Sequence, residues 1–380
     1  MKASLYLHIP FCRQKCGYCD FSSFAAPGMS PGAYCDLVRA ELAGTAKRFP
    51  PTRVPTVYFG GGTPSLLPPP LIGGVLQAAR ENYLLDVDAE ITLEANPGTV
   101  TLESLAGYRD AGVNRLSVGI QSFDDRQLAH LGRIHTADQA REALALARRA
   151  GFANVGIDLM HGLPGQSLPQ WEGTLRQAVA LEPEHISAYG LSVEEGTPFA
   201  DLAASGDLRL PDEETAAGMF EMAALFLAAA GYEQYEISNF ARPGYRSRHN
   251  QVYWRRENYL GFGAGAHSFV RHPGFGLRWE NPRGLDEYAD RLRETGEPVA
   301  EAVSRDDAMA EFFFLGLRML DGVDGAEFAA EFGVTADEAF PGVIGRLAAA
   351  GLLVKEGERV SLTRQGLLLA NRVLVEFVRG

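Results

Sequence analysis

The chain has 380 residues, 46% of them hydrophobic and 22% charged, the balance of a folded globular protein long enough for about two or three cores. Its formal net charge of −13 works against a nucleic-acid partner, because phosphate binding needs clustered Lys and Arg. No apolar run is long enough to span a bilayer, the first residues read as a strand rather than a signal peptide, and four cysteines in a chain of this length make no disulfide framework.

In chain order, residues 4–9 are a short apolar run that predicts a strand. Residues 31–49 repeat Tyr34, Leu37, Val38 and Leu42 at helical spacing. A second strand is expected over 56–59, ending in Gly60, Gly61 and Gly62. A helix over 66–83 and a strand over 90–94 follow, then a helix over 102–111 and a strand over 115–119. The pattern continues with helices over 124–131 and 136–150, a strand over 155–159, a helix over 168–181 and a strand over 185–191. About six βα units predict a parallel sheet. A closed barrel needs roughly 250 residues, so the expected fold is α/β, a partial parallel β/α barrel. Ligands of such sheets sit at the carboxyl ends of the strands. There the chain places Cys12 to Cys19, Gly60 to Thr63, Glu94, Gln121 and Asp158.

The pattern changes near residue 200. A long helix is expected over 211–230, and residues 232–279 show no clear period. A helix over 308–320 and further helices lead to a hairpin of 351–354 and 359–362, which reads as a winged-helix-like end domain. The expected division is 1–200, a barrel extension and linker over 201–300, and 301–380. Residues 301–380 hold 13 Asp and Glu against 8 Lys and Arg, which disfavours DNA for this module.

Three cysteines, Cys12, Cys16 and Cys19, fall in one loop directly after the first strand. Thiolates select iron–sulfur clusters, zinc or copper(I). Three can hold three irons of a [4Fe–4S] cubane and leave the fourth open to chelate S-adenosylmethionine, with one electron from the cluster cleaving a carbon–sulfur bond. Structural zinc is the alternative. It needs a fourth ligand at short spacing, and the next cysteine, Cys35, lies inside the first predicted helix, where it reads as a small buried hydrophobe.

The C-x3-C-x2-C loop after a first strand resembles the radical S-adenosylmethionine superfamily. More narrowly, the chain resembles the oxygen-independent coproporphyrinogen III oxidase group. The residues that carry this are Gly60 to Ser65, Glu94-Ala95-Asn96-Pro97-Gly98, Gly119-Ile120-Gln121-Ser122-Phe123, and Ile157-Asp158-Leu159 with Gly162-Leu163-Pro164-Gly165. The decarboxylating branch carries one more cysteine two residues after the third, and an N-terminal extension. This chain has Phe21 there and begins at the strand, so it resembles the other branch, the heme chaperones. The resemblance implies cofactor contacts from Tyr6, Tyr18, Gly61, Gly62, Thr63, Glu94, Gln121, Arg133 and Asp158. For each polar residue of this set a structural hydrogen bond is the other reading, and Tyr6 and Tyr18 could be packed aromatics.

The segment 242–256 holds Arg242, Arg246, Arg248, Arg255 and Arg256 in an acidic chain, together with His249-Asn250-Gln251-Val252-Tyr253-Trp254. That run resembles an H-N-x-x-Y-W signature of the chaperone branch. Arginines suit the heme carboxylates, Tyr253 and Trp254 suit its face, and His249 suits its iron. His267 is a second candidate ligand, and an arginine-rich solvated loop with a core histidine is the other reading. The resemblance implies heme as cargo, heme-acceptor proteins and an electron donor as partners, and a possible homodimer; the open iron would expose the cluster to oxygen, so a reducing cytoplasm is the expected location. It implies a superfamily member without coproporphyrinogen-oxidising activity. The alternative function is oxygen-independent coproporphyrinogen III dehydrogenase, in porphyrin biosynthesis.

Overall fold

The computed structural model describes residues 1–25, 28–294 and 298–378. Six parallel strands stand side by side in chain order: β1 (Ser4–Ile9), β2 (Arg53–Gly61), β3 (Leu84–Ala95), β4 (Arg115–Gln121), β5 (Val155–His161) and β6 (His185–Gly190). Between them run α1 (Pro31–Ala46), α2 (Pro69–Asn82), α3 (Leu102–Ala111), α4 (Asp125–Leu131) and α5 (Ala137–Arg149), and α6 (Leu168–Ala180) joins β5 to β6. Polar caps start several of these helices. Thr101 with Ser104 and Thr136 with Gln139 form reciprocal capping boxes that satisfy the first free N–H groups of α3 and α5.

Alternation within the strands sorts the layers. Leu5, Leu7, Val57, Phe59, Leu93, Leu116, Val118, Ile157 and Leu159 are fully or nearly fully buried in the main apolar core. On β4, the residues between those apolar ones are Arg115, Ser117, Gly119 and Gln121, and all four line an interior cavity.

The chain then adds strands to both edges of the same sheet. After α7 (Pro198–Ser205) and α8 (Glu213–Ala229), β7 (Glu233–Gln234) and β8 (Asn239–Ala241) pair beyond β6. The short helix α9 (Arg248–Trp254) crosses to the other side. There β9 (Tyr259–Phe262) runs parallel to β1, followed outward by β10 (His267–Val270), β11 (Leu277–Glu280) and, after α10 (Leu285–Glu294), β12 (Glu301–Ala302). The result is an open sheet of 12 strands around a partial barrel. The region without a clear period thus holds five short strands and α9, joined by turns. Its strands have two to four residues, too few to show a period of two.

From α11 (Arg305–Gly316) onward a second apolar cluster forms around Phe313, Phe328, Phe340 and Phe377, with the rings of Phe313 and Phe377 stacked at 4.5 Å. Short helices and a three-stranded antiparallel sheet, in the order Val323–Asp324, Arg359–Leu362, Leu353–Glu356, give this part its winged-helix-like form. Among the described residues no helix is long and apolar enough to cross a membrane.

Candidate functional site

The cysteine loop is held at the carboxyl end of β1 by backbone bonds. Cys12 N–H donates to Phe24 O at 3.0 Å, and Phe24 N–H to Pro10 O at 2.7 Å. The glycine turn after β2 docks on its first residues: Gly62 N–H donates to Ile9 O at 2.8 Å and Thr63 N–H to Phe11 O at 2.7 Å. Only glycine fits at 62, because a Cβ there would come within 2.7 Å of Phe11 O and 3.1 Å of Cys12 Sγ. Further along the loop, Gly17 N–H donates to Leu131 O and Phe199 N–H donates to Gly17 O, so α4 and α7 flank the loop.

Cys12, Cys16 and Cys19 line the mouth of a cavity of about 390 Å³ that runs into the barrel. Cys12 Sγ lies 3.5 Å from Thr63 Oγ1, and Arg133 Nη1 donates to Cys16 Sγ at 3.6 Å while its Nη2 donates to Gly119 O at 2.6 Å. Among the described residues no three His, Cys, Asp or Glu side chains converge tightly enough for one metal ion. Three thiols spread around one mouth instead suit a cubane, whose corners each take a separate thiolate. The donor set therefore fits a [4Fe–4S] cluster with one open iron. Cys35 is 2% exposed, does not line the cavity, and has its thiol pushed up to about 11 by burial.

Behind the thiols the cavity wall gathers Tyr18, Gly61, Gly62, Thr63, Glu94, Gln121, Arg133 and Asp158. Glu94 accepts from Tyr58 Oη at 2.8 Å and Gly61 N–H at 3.2 Å, and burial pushes its pKa up to about 7 against those bonds. Asp158 accepts from Ser117 Oγ at 3.2 Å, and burial likewise raises it. Gln121 has φ 67 at an irregularity in the β4–β5 register, a left-handed conformation that non-glycine residues adopt mainly where surrounding structure imposes it. Tyr6, expected beside these, does not line the cavity. It lies beneath Gly60, stacks on Tyr58 at 6.2 Å, and its hydroxyl meets His8 Nδ1 at 3.2 Å, while His8 Nε2 bonds Ser22 O at 2.7 Å.

The H-N-x-x-Y-W segment is α9, and it closes the opposite end of the barrel. Its backbone N–H groups at Arg248 and His249 donate to Glu90, near the middle of β3 and remote from the cysteines. His249 is 1% exposed, and both ring nitrogens are engaged, Nδ1 with Thr56 Oγ1 at 2.7 Å and Nε2 with Tyr253 Oη at 2.9 Å. In this arrangement it offers no nitrogen to iron. Trp254 lies under the guanidinium of Arg318 at 4.5 Å. Three of the five arginines pair with acids: Arg246 with Glu233 and Asp321, Arg248 with Asp88, and Arg256 with Glu311 and Glu331, while Arg242 lies over Tyr232 and Arg255 bonds Gln251. Of this segment only Asn250 lines the cavity.

Sequence reasoning passed over Tyr58, Arg115, Ser117, His185, Ser187 and Tyr189, which also line it. The signal was present in the alternation of β4 and β6. Parallel strands covered on both faces are normally near-continuous apolar runs, yet Arg115-Leu-Ser117 and His185-Ile-Ser187 are not.

Comparison with known proteins follows this geometry. Residues 6–178 match the radical SAM superfamily, and residues 303–369 match the HemN C-terminal domain. The heme chaperone HemW of Bacillus subtilis is 38% identical, covering 99% of both chains. The heme chaperone HemW of Escherichia coli is 40% identical over 99% of this chain and 98% of its own. The solved structure of the coproporphyrinogen III oxidase HemN of Escherichia coli, a radical SAM enzyme, superposes with a TM-score of 0.84 at 26% identity, covering 99% of this chain and 89% of that one. With a three-cysteine loop at the mouth of a parallel partial barrel and full-length similarity of this order, the chain belongs to the radical S-adenosylmethionine superfamily and, within its oxygen-independent coproporphyrinogen III oxidase-like group, to the HemW branch.

Proposed function

We propose that this protein is a cytoplasmic heme chaperone that binds a [4Fe–4S] cluster, S-adenosylmethionine and heme, and passes the heme to acceptor proteins. The observation that carries the reading is end-to-end similarity at 38–40% identity to proteins named heme chaperone HemW, against 26% to the oxidase HemN. Phe21 supports it. It is exposed at the cavity mouth, at the position where the resemblance gives the decarboxylating enzymes a further cysteine.

Cys12, Cys16 and Cys19 would hold the cluster, and Tyr18, Gly61, Gly62, Thr63, Glu94, Gln121, Arg133 and Asp158 would surround the adenosylmethionine. When bound, the cluster supplies one electron at a time to the sulfonium, drawn from a donor protein. The residues here contribute orientation. Glu94 in its ionised form can accept from ribose hydroxyls or an ammonium group, and Arg133 sets the positions of both Cys16 and the end of β4.

For the heme iron, His267 is the better ligand. Its side chain is 51% exposed with Nε2 3.4 Å from the exposed Glu280, a surface contact that a ligand can displace; it opens β10, and Gly265 near it packs toward Ser22 of the cysteine loop. Phe21, exposed at the cavity mouth, offers an aromatic surface for the macrocycle. Heme titration of the anaerobically reconstituted protein, followed in the visible spectrum, tests this. Wild type binds heme, and His267→Ala shifts the absorption bands and weakens binding. Wild-type spectra in His267→Ala would remove His267 as the ligand, and an absence of heme binding in wild type would remove the chaperone reading.

A further inference from the structure

The deep end of the cavity holds buried polar nitrogens without a partner. Arg115 opens β4 and His185 opens β6, at the amino ends of strands whose carboxyl ends carry the cofactor-facing residues. Each is 1% exposed, and both line the cavity. Among the described residues Arg115 makes one hydrogen bond, from Nη1 to Thr92 Oγ1 at 3.5 Å, and no ion pair, and its buried Nε–H has no acceptor. Gly156 leaves room for this guanidinium, since a Cβ there would stand 3.2 Å from Arg115 Nη2.

Tyr235 Oη accepts from Ser247 N–H at 3.3 Å and lies 2.8 Å from His185 Nε2. The imidazole is neutral, because burial and the charge of Arg115 push its pKa well down. Its Nδ1 is buried and has no partner, and an acceptor oxygen beside it would favour the tautomer with the proton there. The side-chain amide of Asn250, lining the same floor, makes no hydrogen bond among the described residues.

A buried cation with an unpaired Nε–H, beside a buried imidazole nitrogen without a partner, is costly unless something with acceptor oxygens fills the space. Glu94 and Asp158 feel the charge of Arg115 but make no hydrogen bond or ion pair with it among the described residues. Glu94 is bonded to Tyr58 and Gly61, and Asp158 to Ser117 and Ser187. In strand register Arg115 pairs with Thr92, one alternate step deeper than the Glu94–Ser117 pair.

We propose that this floor is a second ligand subsite, separate from the thiol mouth, which takes a carboxylate group against Arg115, His185 and Asn250. The carboxylate belongs either to a free small organic acid or to an arm of a larger bound tetrapyrrole. The subsite does not depend on the heme reading.

The test uses the full chain with its cluster reconstituted, and three probes: sodium succinate, heme, and heme dimethyl ester. In wild type, succinate binds saturably by ligand-observed NMR, or heme binds more tightly than its ester. The first result assigns the subsite to a free acid and the second to a tetrapyrrole arm. In either case Arg115→Gln and His185→Phe, checked for folding by circular dichroism, weaken the carboxylate-dependent binding by about tenfold or more. If Arg115→Gln does not fold, His185→Phe and the wild-type acid–ester comparison decide. Absence of both succinate binding and an acid–ester difference in wild type, or their persistence in a folded variant, overturns the proposal and leaves water as the occupant. Succinate binding in a wild type that fails to bind heme overturns the chaperone reading alone.

Discussion

The imidazole of His249 lies 4.9 Å from the ring of Tyr58, stacked at 25°, and Tyr58 donates its hydroxyl to Glu94 at 2.8 Å. The floor helix α9 thus supports the wall of the cofactor cavity through two aromatic side chains. His249→Ala should remove the stack and leave Thr56 and Tyr253 without their partner, a loss of about 2–4 kcal/mol. Denaturant unfolding measures it. The heme spectrum of this variant should stay that of wild type. A stable variant with an altered heme spectrum would return His249 to the role of iron ligand.

The sign of a pH effect follows from the same residue. Burial first, and then the charge of Arg115, push the His249 pKa down to about 3. In the unfolded chain it titrates near its ordinary value of about 6.5. Between these values the unfolded chain holds a proton that the folded chain does not, so stability falls as pH drops from about 6.5 toward 3. His249→Phe removes that proton while keeping an aromatic ring. Its stability should depend on pH less steeply between about pH 4 and 6, by up to about 1.4 kcal/mol per pH unit. Equal slopes in wild type and variant would contradict the buried neutral imidazole.

The barrel was legible because its strands alternate in chain order with helix-period segments and end at glycine, proline or a polar turn, and the three-thiol loop stood out because closely spaced thiols in one loop suit little besides a metal or an iron–sulfur cluster. What could not be read depends on partners far away in sequence. His249 and Thr56 are 193 residues apart, so nothing local marks that imidazole as satisfied. The arginines near it looked like a carboxylate-binding cluster, yet Arg246 and Arg256 are taken by acids more than 50 residues downstream. Strands such as Glu233–Gln234 carry too few residues for any pattern and form only as edges on a finished sheet.

Arg256 joins the barrel to the end domain. It has φ 52, donates to Glu311 at 2.8 Å and Glu331 at 3.1 Å, and Arg278 also reaches Glu311 at 2.7 Å. The Arg256 and Glu311 side chains are 4% and 6% exposed. Arg256→Met leaves buried carboxylate charge with less compensation, and about 3–5 kcal/mol of stability should be lost. Urea unfolding reads this. A change under about 0.5 kcal/mol would mean that Arg278 on Glu311 and Arg271, which also pairs with Glu331, hold the interface unaided.

Cluster assembly separates the four cysteines. Replacing Cys12, Cys16 or Cys19 with Ala should abolish iron, sulfide and visible absorbance after anaerobic reconstitution, and Cys35→Ala should leave them intact. Full cluster content in Cys19→Ala, or its loss in Cys35→Ala, would contradict the three-thiol site.

The chaperone reading and the enzyme reading part on one sample. Anaerobically reconstituted wild-type protein, supplied with S-adenosylmethionine and a reductant, is divided between a heme titration and a coproporphyrinogen III decarboxylation assay. The account predicts saturable heme binding and no vinyl product. Decarboxylation by the wild-type chain would contradict it and make this protein an oxygen-independent coproporphyrinogen III dehydrogenase, and an absence of heme binding would contradict it as well.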